Sequence, residues 1–109
     1  SLGATEKSPM LAEDVRVLMK RSGLSSLAVV GATEADGAGN IAAMLEGVQV
    51  SGAFDLSKDT KGVSTIAESD AILLSVKEGA ASGKQLENAL KQMKISGTPV
   101  LGVVFISKK

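Results

Sequence analysis

The residues with the clearest capacity for chemistry lie in Gly31-Ala32-Thr33-Glu34-Ala35-Asp36-Gly37-Ala38-Gly39, entered from the apolar run Leu27 to Val30 and left through helix-like Asn40 to Glu46. A strand that runs into a Gly-rich loop and then opens a helix can cradle phosphate with backbone N–H groups and the positive helix terminus. In a phosphate-binding loop of that kind a Lys follows the last Gly to neutralise charge, and the next residue is a Ser or Thr that ligands magnesium. Here Ala38 and Gly39 hold those two positions. Glu34 and Asp36 place two carboxylates where a polyphosphate would lie, and at a few ångströms each repels it by roughly 1 to 4 kcal/mol, depending on the local dielectric. The loop is therefore expected to reject ATP. The plainer reading is a strand-to-helix connection that needs Gly for its backbone angles and acids beside a helix start. Phosphate binding by backbone alone and a docking surface are the other readings of the same residues.

The rest of the composition narrows the chemistry further. The 109 residues include no Cys, His, Trp or Tyr, which removes thiol and imidazole nucleophiles, zinc sites built from Cys or His, and disulfides. Twelve basic and twelve acidic residues cancel, so the electrostatic footprint of a nucleic-acid binder is missing. No cofactor and no metal site is expected. The length predicts one domain, 1–109, built around one core of Val, Leu, Ile, Ala and Met, because Phe54 and Phe105 are the only aromatic residues. The longest apolar runs are strand-length, which predicts no membrane insertion of this segment and a cytoplasmic location, either free or as the cytoplasmic domain of a membrane protein. The opening Ser1-Leu2 reads as a cloning remnant, and the chain as a fragment of a longer protein.

Regular elements must hold the loop in place. Ser8-Pro9 offers an N-cap and a first-turn proline, after which Leu11, Val15, Leu18 and Met19 recur at helical spacing up to Gly23. Val48 to Phe54 reads as a weaker, edge strand, Asp55 to Gly62 as a solvated loop, and Val63 to Glu68 as a helical turn. Ala71 to Val76 and Val100 to Ile106 are apolar at consecutive positions, the pattern of strands covered on both faces, and together with Leu27 to Val30 they are expected to be central. Between them Ser82 and Gln85 form a capping-box pair, Leu86, Ala89, Leu90 and Met93 make an apolar stripe, and Glu87 is spaced to pair with Lys91. Alternation of strand and helix predicts an α/β fold, a mainly parallel sheet of about four strands with helices on both faces.

Three segments, the first helix, the loop with its helix, and the C-terminal third, resemble the bacterial tyrosine kinases of capsular and exopolysaccharide synthesis, members of the deviant P-loop class that includes septum-placing ATPases. That family reads Ala-Thr-Pro-Gly-Glu-Gly-Lys-Ser/Thr-Thr before an Ala-Ala-Asn-Leu helix, where this chain has Ala32-Thr33-Glu34-Ala35-Asp36-Gly37-Ala38-Gly39-Asn40-Ile41-Ala42-Ala43-Met44-Leu45. Ser69 to Gly79 resembles the family's late strand, and Val100-Leu101-Gly102-Val103-Val104-Phe105 its closing strand. Glu13 and Arg16 match the first-helix motif E-x-x-R-x-x-R of ring assembly, with Met19 in place of the second Arg. The resemblance implies a P-loop NTPase-like (Rossmann-like) fold, shortened between Leu45 and Ser69, where the family carries its further nucleotide motifs and this chain keeps only Asp55. The chain has no Tyr to phosphorylate, so neither a kinase nor a tyrosine substrate is expected.

These features predict a non-catalytic P-loop-like regulatory or interaction domain of cell-envelope polysaccharide synthesis or chain-length control. Thr33, Glu34, Ala35, Asp36, Gly37, Ala38, Gly39 and Asn40 would be a vestigial loop, and Glu13 and Arg16 a partner contact. The partner would be a second copy, a related kinase or a membrane polysaccharide co-polymerase. Two alternatives stand beside it: a nucleotide- or phosphate-binding domain completed by a neighbouring subunit, with Lys77, Lys84 or Lys20-Arg21 as candidate cations, and a flavodoxin- or receiver-like signalling module using Asp55 and Lys77.

Overall fold

In the computed structural model, which describes residues 2–3, 10–58 and 62–107, the chain runs β1 (Leu2–Gly3), α1 (Met10–Ser22), β2 (Leu27–Gly31), a single 3-10 turn (Glu34–Asp36), α2 (Ala38–Met44), β3 (Val50–Asp55), α3 (Gly62–Glu68), β4 (Ala71–Lys77), α4 (Gly83–Ser96) and β5 (Val100–Ile106). All strand pairs are parallel, in the order β1-β5-β4-β2-β3. This is a Rossmann-like α/β sheet of four full strands, with the two-residue β1 added at one edge. Leu2, expected to be a remnant, pairs with Val104 in that added strand. The expected start of α1 at Ser8-Pro9 lies outside the described residues.

Period-two alternation in β2 and β4 builds the two layers. Leu27, Val29, Ala71 and Leu73 face α1 and α2, whose Leu11, Ala12, Val15, Met19, Ala38 and Ile41 cover them. Ala28, Val30, Ile72 and Leu74 face the opposite way, onto Ile66 of α3 and Ala89 and Met93 of α4. Every residue of β2 is buried, as a strand covered twice requires. α1 stops where Gly23 takes φ 68°, with Gly23 N–H donating to Lys20 and Leu24 N–H to Met19, a Schellman closure that only Gly adopts without strain. α4 begins as its spacing predicts: Gln85 N–H donates to Ser82 Oγ, and Ser82 N–H to the Gln85 side chain.

Several local expectations need correction. β5 lies inside the strand order, but Val100 and Phe105 are 48% and 54% exposed, and β1 pairs with only two residues of the strand. An apolar run is thus not sufficient evidence of double coverage. Leu90 of the α4 stripe is half exposed, since α4 meets the sheet through the smaller Ala89 and through Met93. Glu87 and Lys91 form no ion pair among the described residues. α2 begins at Ala38, two residues before the expected Asn40, and ends at Met44.

The winding places the Gly-rich loop. From β2 the chain goes through α2 to β3 on one side, then crosses back through α3 to β4 on the other. The progression therefore reverses between β2 and β4, and the crevice at the carboxyl ends of strands flanking such a reversal is where open α/β sheets bind their ligands.

Candidate functional site

That crevice is filled by the protein itself. β2 ends at Gly31, the chain turns through the 3-10 turn, and the turn drops the side chain of Asp36 between the ends of β2 and β4, where the residue is 1% exposed. Asp36 Oδ2 accepts hydrogen bonds from Thr33 N–H at 2.9 Å and from Thr33 Oγ1 at 3.0 Å, and Oδ1 accepts from Lys77 N–H at 2.9 Å. The Asp36 carbonyl accepts from the buried Ser75 hydroxyl at 2.6 Å. A buried carboxylate needs such donors, because desolvating an unpaired one costs several kcal/mol. Gly31 permits the approach: a Cβ there would lie 3.1 Å from Asp36 Cβ and 3.2 Å from the Thr33 carbonyl oxygen. Gly37 then takes φ 71° and starts α2.

The two loop acids thus do different things. Glu34 is exposed and pairs with Lys58 Nζ at 2.9 Å. That contact raises the Lys58 pKa, first through the hydrogen bond and then through the Glu34 charge. Asp36 faces inward, onto donors of its own chain. Acids do stand at a helix start, as the plainer reading expects: the 3-10 turn carries Glu34 and Asp36 in its first turn and a Thr33–Asp36 capping box, whereas α2 has no acid in its first turn. Thr33 supplies two of the three donors and Ala38 is buried, whereas Ala35, Gly39 and Asn40 give Asp36 no side-chain hydrogen bond among the described residues.

The remaining candidates are dispersed. Asp55 ends the edge strand β3 beside Gly31, and its Oδ1 accepts from Ser57 N–H and Oγ at 3.0 and 2.6 Å. Its Oδ2 is buried and unpartnered among the described residues. Lys77 ends β4, with β2 between it and β3, so the two residues suggested for a receiver-like site sit on non-adjacent strands. Among the described residues no group of three or more acids could hold a metal ion. Glu13 and Arg16 are exposed on α1, but they form no ion pair with each other among the described residues. Arg16 Nη1 instead donates to the Glu46 carbonyl, and its guanidinium stem lies against Gly47. It borders a cavity of about 480 Å³ with Lys20, Ser25, Gly47 and Gln49, below the amino ends of the strands. A second cavity, of about 380 Å³, lies between the ends of β4 and β5 and is lined mainly by apolar groups, among them Val76, Leu86 and Phe105.

Sequence reasoning missed the contributions of Ser75, Lys77 and Lys58 to the loop. Ser75 carried a signal: a lone hydroxyl in an otherwise apolar, doubly covered strand must find a partner. Lys77 enters through its backbone, which no side-chain pattern reports.

Comparison with family models, with curated proteins and with solved structures gives no match.

Proposed function

We propose that this domain is a non-catalytic P-loop-like module that acts through protein contacts, with its resemblance to the capsular tyrosine kinases linking it to cell-envelope polysaccharide synthesis or chain-length control. The observation that carries the reading is Asp36. Its carboxylate occupies backbone donors at the switch-point crevice, where a nucleotide phosphate would need them free. The positions that would supply charge neutralisation and a magnesium ligand are Ala38 and Gly39, and the acid Glu34 stands at the rim. Action by contact is supported by the large apolar side chains left exposed on three elements: Val17 on α1, Leu90 and Ile95 on α4, and Val100 and Phe105 on β5.

Titration calorimetry with ATP, ADP and GTP in the presence of magnesium tests the reading. No binding heat and no thermal stabilisation are expected at millimolar nucleotide, because a ligand that binds the native state must raise its stability. A micromolar dissociation constant for any of the three would overturn the non-catalytic reading and favour a nucleotide-binding domain.

A further inference from the structure

Asp36 is a buried titratable group that forms no ion pair among the described residues, and its environment consists of hydrogen-bond donors. These donors come from two elements far apart in sequence: Thr33 in the loop after β2, and Lys77 at the end of β4. Neither depends on Asp36 alone for its position. Lys77 is paired with Ile106 of β5 in a strand that β2 flanks as far as Ser75, and the loop is tied to β4 by the Ser75 hydroxyl on the Asp36 carbonyl. We propose that the crevice between β2 and β4 is a binding site for a small planar carboxylate, filled in the native chain by Asp36, and that it accepts a free carboxylate of the same shape when that side chain is cut away.

Three donors divided over two oxygens, two on Oδ2 and one on Oδ1, describe a receptor for a planar two-oxygen anion. Among the described residues no side-chain cation pairs with Asp36, so recognition rests on the direction of N–H and O–H dipoles and on shape. Shape gives the site its selectivity among anions. Asp36→Ala keeps the β-carbon and removes the carboxylate, whose free counterpart is formate; Asp36→Gly removes the β-carbon as well, and the free counterpart of the missing fragment is acetate. Formate should therefore fit the Ala variant, and acetate should fit the Gly variant better than it fits the Ala variant, where its methyl group meets the retained β-carbon.

The test is thermal unfolding of wild type, Asp36→Ala, Asp36→Gly and Asp36→Asn in sodium chloride, formate and acetate at equal ionic strength. The expected result is a Tm gain of at least about 4 °C for Asp36→Ala in formate over chloride, with the acetate preference appearing in Asp36→Gly. Wild type and the isosteric Asp36→Asn, whose crevice is already full, should gain nothing specific. If Asp36→Ala is unfolded in chloride, recovery of native circular dichroism in formate is the supporting result. Equal gains in all four proteins, or no gain for either truncated variant, would overturn the proposal. The nucleotide titration concerns the intact Asp36 crevice, so either result can fail without the other.

Discussion

At the scale of single residues, Asp36 is the most exacting position in the described chain. Asp36→Ala takes the acceptor from the part-buried amides of Thr33 and Lys77, at about 1–2 kcal/mol each, so chemical denaturation should register a loss of about 2–4 kcal/mol. Against the 5–15 kcal/mol typical of a domain, that is a large share. Ser75→Ala removes one donor and leaves a carbonyl that retains a second lone pair, so its loss should be smaller, near 1 kcal/mol in the same experiment. Lys58 behaves in the opposite manner. Its pKa is raised above the ordinary 10.5 by Glu34, so any stabilisation is complete below that value and is lost as pH rises through the folded-state value. Both partners are largely exposed, at 73% and 80%, and water and salt screen the pair. Lys58→Gln should therefore leave the Tm unchanged at neutral pH in physiological salt. The position of this site was legible in the glycines and acids between Gly31 and Gly39, and Thr33 stands at capping-box spacing from Asp36, but the third donor on Asp36 is a backbone amide 41 residues away that no local spacing reports.

At the scale of elements, the edge strand β3 depends on a ring lying over glycine. An added Cβ at Gly52 would meet Phe54 Cζ at 2.6 Å, and one at Gly62, at the start of α3, would meet Phe54 Cδ1 at 2.9 Å and Cγ at 3.2 Å. The first clash involves the far tip of the ring and the second its root. A small rotation relieves the first, whereas the second requires β3 or α3 to shift. Gly62→Ala should thus cost about 1–3 kcal/mol and Gly52→Ala less, a ranking that equilibrium denaturation reads directly. Strand positions were legible wherever the apolar run was long. Coverage was not: β4 and β5 look alike in sequence, but the first is central and the second carries Val100 and Phe105 in the open. What separates them is the neighbour each strand has, and composition does not encode a neighbour. In the same way nothing in the spacing of Glu13 and Arg16 reports that Arg16 fastens α1 to the turn at Glu46.

At the scale of the whole molecule, the α/β class followed from the alternation of runs, since apolar segments of strand length separated by helices have few other ways to bury both faces. The reversal at β2 did not follow, because nothing in a run says on which side of its predecessor it will pair. Arg16 gives a prediction at this scale. If α1 is a self-assembly surface, Arg16→Glu should lower the sedimentation coefficient relative to wild type; identical monomers in both would remove α1 as a self-assembly surface and leave a heterologous partner to test. The strand order also sets a timetable. β2 can find β3 and β4 within the span from Leu27 to Lys77, whereas β1 must wait for β5 and pairs Leu2 with Val104 across almost the whole chain. Loop-closure entropy grows with the length enclosed, and parallel pairings over long separations form slowly. Assembly should therefore spread outward from β2 and end with β1, so that in pulsed hydrogen exchange during refolding the amides of Val29 and Leu73 gain protection well before those of the β1–β5 seam, and a nascent chain still lacking its last strand leaves β4 as a bare, adhesive edge.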